Sequence, residues 1–148
     1  MMYRKEIISR MGAVEQEWRA ASLAVTNLFR RSQDDPTILA IAIVTHNDVR
    51  SCLNNLEPTY LVRMFAVFEE ALREIWRNVY SRTTRPETYV LIQRCASRQH
   101  VPSKELDDAH TVRAYRNAVV HGGDAPSMPM PEARTALCKF FGRMPPQW

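Results

Sequence analysis

The stretch from Leu61 to Val79 constrains this chain more than any other. On a wheel of 100° per residue, Leu61, Met64, Phe65, Phe68, Ala71, Leu72, Ile75, Trp76 and Val79 fall within about 140°. Arg63, Glu70, Arg73, Glu74 and Arg77 take the other side, with Glu69 and Arg73 forming an i,i+4 pair near the boundary. This is the pattern of a core helix with a solvated back. Only four glycines occur among 148 residues, which argues against turn-rich all-β architectures and against Gly-rich phosphate loops. Apolar residues at 45% and charged ones at 24% match a soluble globular chain rather than a disordered one or a coiled-coil rod. The expectation is an all-α, single-domain bundle of about five helices spanning residues 1–148, long enough to bury its own core.

The other helices are read from period and punctuation. A first runs from about Tyr3 to Arg31, with Ile7, Met11, Val14, Trp18, Val25 and Leu28 at helical spacing. Asp35 before Pro36 reads as an N-cap with proline at the first helical position. The segment Thr37–Leu56 opens with β-branched residues, but no second strand exists to pair with it, so a helix is expected there. Pro58 separates it from the core helix. A further helix spans about Glu87 to Arg98. Ser103 caps the next, which runs through Val112 to His121 and stops at Gly122-Gly123. A connector with Pro126, Pro129 and Pro131 leads into a last helix, about Glu132 to Phe141.

The sequence also disfavours several functions. The start, Met1 to Ile8, carries charges but no apolar stretch of signal-peptide length. The longest apolar run, Ile38–Val44, is seven residues, against about 20 needed to span a bilayer. Cys52, Cys95 and Cys138 stand some forty positions apart, with no CxxC pair and no histidine at ligand spacing. They read as idle thiols of a reducing compartment, so a cytoplasmic protein with no metal site, no cofactor and no membrane partner is expected. Net charge is +4 and the sequence pI near 9.2, compatible with an anionic partner. The basic residues are spread over every helix, with no Lys/Arg-rich run and no interleaved aromatics, so no dedicated nucleic-acid-reading surface is visible.

One constellation carries chemistry. Within Arg113-Ala114-Tyr115-Arg116-Asn117-Ala118-Val119-Val120-His121-Gly122-Gly123, Tyr115 and Val119 share with Val112 a face expected to pack inward. His110, Arg113, Asn117 and His121 succeed one another at spacings of three, four and four on an exposed stripe, with Arg116 about 140° from His121. Histidine's ordinary pKa of about 6.5 suits proton transfer with a ribose 2′-hydroxyl or a departing oxygen. The arginine fork suits a phosphate. A polar stripe is equally what a surface helix shows, and His121 beside Gly122 can simply cap a helix C-terminus.

The run Arg116-Asn117-Ala118-Val119-Val120-His121 resembles the signature of the HEPN superfamily (higher eukaryotes and prokaryotes nucleotide-binding), in which an Arg and a polar residue precede a His near a helix end. Arg113-Ala114-Tyr115 before it and Gly122-Gly123 after it are similar to many bacterial members. A weaker similarity lies in Tyr60–Arg73, which resembles an earlier long helix where a polar residue, here Glu69 or Arg73, can face the catalytic helix. Together the matches cover Tyr60–Gly123. The resemblance implies a small α-bundle acting as a metal-independent endoribonuclease. Such proteins are toxins or defence effectors, with two copies of the motif meeting in one cleft of a homodimer. By that analogy Arg116 stabilises the scissile phosphate, His121 transfers protons and Asn117 orients either, while Arg113, His110, Glu69 and Arg73 bind or support. The expected substrate is RNA, the products a 2′,3′-cyclic phosphate and a 5′-hydroxyl, and a further partner an antitoxin protein. The alternative within the same family is a catalytically silent module that binds a nucleotide, RNA or protein. In one toxin subgroup a Tyr comes two positions after the His. Gly123 stands there in this chain, which speaks against control by modification of such a Tyr.

Overall fold

In the computed structural model, which describes all 148 residues, helices α1 (Arg4–Asp34) and α2 (His46–Asn78) form a long antiparallel hairpin. At 1.5 Å per residue their 31 and 33 residues extend about 46 and 50 Å. Side chains set the register: Arg10 lies 3.6 Å from Glu70, Glu17 2.7 Å from Arg63, and the Phe29 ring stacks on His46 at 4.6 Å. Helices α3 (Thr88–Arg98), α4 (Ser103–His121) and α5 (Met130–Phe141) pack against the half of the hairpin where α1 starts and α2 ends. The only extended pairing is one bridge between Tyr3 and Gln147. The fold is all-α, as the periodicity predicts.

The core sits where the wheel puts it. Leu61, Met64, Phe65, Phe68, Ala71, Leu72, Ile75 and Trp76 are all buried, joined by Ile7, Met11 and Val14 of α1 and by Leu137, Phe140 and Phe141 of α5. Val79 is the exception: it falls past the last turn of α2 and stays exposed. Full burial of such side chains is worth about 1.5–3 kcal/mol each, so α2 dominates the stability of the bundle. Trp148 folds back on this core. Its ring meets Phe141 edge-on at 5.7 Å, its indole N–H donates to Glu74, and the backbones of Met2 and Trp148 exchange two hydrogen bonds.

The connection between α1 and α2 departs from expectation. Asp35 does accept from the Thr37 amide with Pro36 in the first position, but the segment it opens is a 3-10 helix, Pro36–Ala42, ending at Ile43 in the left-handed region (φ 55°). Thr45 then starts α2 by a reciprocal cap: its amide donates to Asp48 and its hydroxyl accepts from the Asp48 amide. The helix expected over Thr37–Leu56 is therefore split, and the break expected at Pro58 does not occur, because α2 runs straight through it. The physical reasons are local. Ile41 and Ile43 are almost wholly exposed, so the apolar run never becomes a core face. The interior proline costs about 3 kcal/mol, which the buried face that follows it, Leu61 to Trp76, outweighs.

Smaller boundary shifts have similar causes. Helix α5 begins at Met130, two residues before the expected Glu132, because the Glu57 carboxylate of α2 accepts from the Met130 amide at 3.0 Å. Pro102, not Ser103, occupies the cap position of α4, with no side-chain cap bond. Gly122 ends α4 as predicted, at φ 75°, a conformation that a side chain would resist. No helix is long and apolar enough to cross a membrane.

Candidate functional site

Helix α4 turns Ala109 and Val112 into the core and carries its polar residues on both flanks. On one flank, the expected exposed stripe is partly covered. His110 stacks on Tyr89 at the start of α3, with centroids 4.6 Å apart, and the Arg113 guanidinium lies 5.2 Å from the same ring. Both His110 ring nitrogens are shielded from solvent and bonded to nothing, as is the Arg113 Nε. Burial, then the Arg113 charge, push the His110 pKa below its ordinary 6.5, with Asp107 opposing. His110 thus serves as a neutral packing ring rather than as a member of an open stripe. Periodicity missed Tyr89, because contacts between α3 and α4 leave no mark on either helix alone.

On the other flank, Arg116 lies over α2. Its guanidinium is 5.6 Å from the Phe65 ring, its Nη1 donates to Asn117 Oδ1 at 3.0 Å, and its buried Nε has no partner. None of the seven ion pairs of the chain involves it. Of the two polar residues on α2, Glu69 is near enough to feel the Arg116 charge, whereas Arg73 turns toward the start of α3. Arg73 holds Glu69 at 2.6 Å, Thr88 donates its hydroxyl to Glu69 at 2.8 Å, and Arg73 also donates to the Pro86 carbonyl. Burial raises the Glu69 pKa, but the Arg73 and Thr88 hydrogen bonds with the charges of Arg73 and Arg116 outweigh it and hold the carboxyl below its usual range. The pair therefore pins the start of α3 while keeping a carboxylate beside Arg116.

His121 ends α4, exposed and without a hydrogen-bond partner. Val119, expected to pack inward, is exposed together with Val120, because this last turn of α4 has no buried position. Arg116 and His121 leave the helix about 140° apart and about 7.5 Å apart along its axis. One copy of α4 therefore presents the two side chains to different sides. No group of three His, Cys, Asp or Glu side chains is placed to hold a metal. Cys95 is buried, its thiol pushed up to about 12 by burial, which makes it inert.

The cavities lie elsewhere. A cleft of about 470 Å³ is lined by Glu69 and Arg73 together with Arg77 and Arg85, and a second of about 600 Å³ adjoins it at Trp76. Neither is lined by Arg116, Asn117 or His121. Comparison with models of known families, with curated proteins and with solved structures finds no match to this chain.

Proposed function

We propose that the outer half of α4 is the active element of a metal-independent endoribonuclease of HEPN type, a toxin or defence effector that acts as a homodimer. The observation that carries the reading is Arg116: a guanidinium bonded only to a neutral amide, on the helix that ends in an unpartnered His121. Its charge remains available to a phosphate, and Asn117 fixes its orientation. Two copies related by a two-fold axis supply what one copy lacks, since the His121 side chains of both copies, one neutral and one protonated, and an Arg116 can then face the same phosphodiester. The exposed Val119 and Val120 offer apolar surface for that contact. One imidazole takes the proton of the 2′-hydroxyl as its oxygen attacks phosphorus. The other gives a proton to the departing 5′-oxygen, leaving a 2′,3′-cyclic phosphate and a 5′-hydroxyl.

The same exposed valines favour a second reading, a silent HEPN-like module that docks an antitoxin or another protein through this surface. Cleavage of single-stranded RNA decides between them. On the first reading, His121→Ala lowers the rate by about 10²–10⁴-fold and Arg116→Ala by about 10²–10³-fold, while a chelator changes nothing. A folded His121→Ala protein that cleaves as fast as the parent overturns the catalytic reading, and a parent that cleaves no RNA leaves the docking module as the better one.

A further inference from the structure

Arginines gather where α2 gives way to α3. The cleft of about 600 Å³ at this connection is bounded by Arg82, Arg94 and Arg98, with hydroxyls of the Ser81–Thr84 turn and of Ser97 beside them. No carboxylate lines it, and none of the three guanidiniums enters an ion pair. Arg77 and Arg85, on the adjoining cleft, are equally without ion-pair partners. Aromatic faces set the positions of two of them instead: Arg94 lies 5.6 Å from the Trp76 ring and Arg98 4.7 Å from the Tyr80 ring. The sequence hides this concentration, because Arg82 belongs to the connection and Arg94 and Arg98 to one face of α3.

The walls are fixed. The Trp76 indole N–H donates to the Thr84 carbonyl at 3.0 Å, the Arg82 amide to the Trp76 carbonyl at 3.2 Å, and Gln99 to the Tyr80 hydroxyl at 2.9 Å. Ser81 is held in the left-handed region at φ 49°, a strained conformation that persists because its neighbours determine it. Like charges held together without counter-charges repel one another, and a polyanion relieves that repulsion.

We propose that this cleft binds adjacent phosphate groups. Three planar forks and several hydroxyls suit phosphate oxygens, and the space exceeds what one phosphate fills. Two sources share that chemistry: the backbone of an RNA strand and the polyphosphate of a nucleotide. The inference is independent of cleavage at α4, since neither Arg116 nor His121 lines the cleft.

The test uses the full chain and a fluorescein-labelled 2′-O-methyl RNA 12-mer, which lacks the attacking hydroxyl and so reports binding whether or not the protein is a nuclease. Anisotropy at low salt should show binding. Arg94→Gln/Arg98→Gln should weaken it at least tenfold and flatten the log–log salt dependence by about 1.4, at about 0.7 for each phosphate no longer neutralised. Arg82→Gln, in the connection and free of aromatic contact, should weaken it several-fold without touching either helix. Arg30→Gln/Arg31→Gln on α1 should leave it unchanged. Displacement of the RNA by inorganic triphosphate or ATP, but not by monophosphate, identifies the nucleotide source, and displacement only by oligonucleotides identifies the strand. The proposal is overturned if the parent binds neither RNA nor triphosphate, or if the arginine variants bind both as tightly as the parent with the same salt slope.

Discussion

Folding holds His110 uncharged, and this has a measurable signature. Its pKa lies below 6.5 in the folded chain, so the unfolded chain binds more protons once pH falls through that value. Stability is then lost progressively on acidification, until pH passes below the folded pKa as well. His110→Phe keeps a ring against Tyr89 and removes the proton. The variant's melting temperature should fall less than the parent's between pH 7.5 and 5, and equal declines would show that the buried imidazole is not the source. Glu69 acts in a lower window. Its depressed pKa contributes stability that is full above 4.5 and is lost as pH drops through the folded value. Glu69→Gln should therefore lose stability at neutral pH and show a shallower decline below 4.5 in acid titrations monitored by circular dichroism.

At the scale of elements, Pro58 is the residue that most contradicts its surroundings. It sits in the interior of α2, where it leaves the Asn54 carbonyl without its usual donor. An interior proline costs about 3 kcal/mol relative to alanine, and the stiffer unfolded chain returns at most about 1 of that. Pro58→Ala should stabilise the protein by about 2 kcal/mol, a rise of about 4–8 °C in thermal denaturation. An unchanged or lower melting temperature would mean that proline at this position favours the packing of α1 against α2 by as much as it costs the helix. The same helix separates what is legible in a sequence from what is not. The face from Leu61 to Trp76 was legible because a helix repeats its buried side every 3.6 residues, and Gly122 because φ 75° favours glycine. Glu57 capping α5 across 73 positions was not legible, nor was buried Glu15 bridging Arg19 to Arg134 of α5. Those bonds depend on which helices meet. At the site, the order Arg116, Asn117, His121 was readable, but the cover of Tyr89 over His110 and Arg113 was set by α3 packing.

Across the whole molecule, burial is unevenly distributed along the hairpin. Between Arg19 and Tyr60 only Ser32, Leu39 and Val49 are buried, whereas the rest of α2 and the start of α1 share the 24-residue core. Helices α4 and α5 approach α2 at the level of Glu57, whose charge reaches Tyr115 and whose carboxylate caps Met130. Beyond that level, α1, α2 and the 3-10 turn form an arm whose α2 part, from Pro58 back to His46, is about 18 Å long. Its cohesion comes from Phe29 on His46, Ser32 bonded to His46 at 2.7 Å and Arg50 over Phe29, all near the tip. Local opening costs little where few apolar contacts are broken. Backbone amides of Arg50–Asn55 should therefore exchange with deuterium orders of magnitude faster than those of Met64–Ile75, although both lie within one continuous helix. Uniform protection along α2 would show that the arm is stabilised by a contact outside the single chain. Repeating the exchange across a concentration series then identifies that contact as a second copy if protection of the arm rises with concentration.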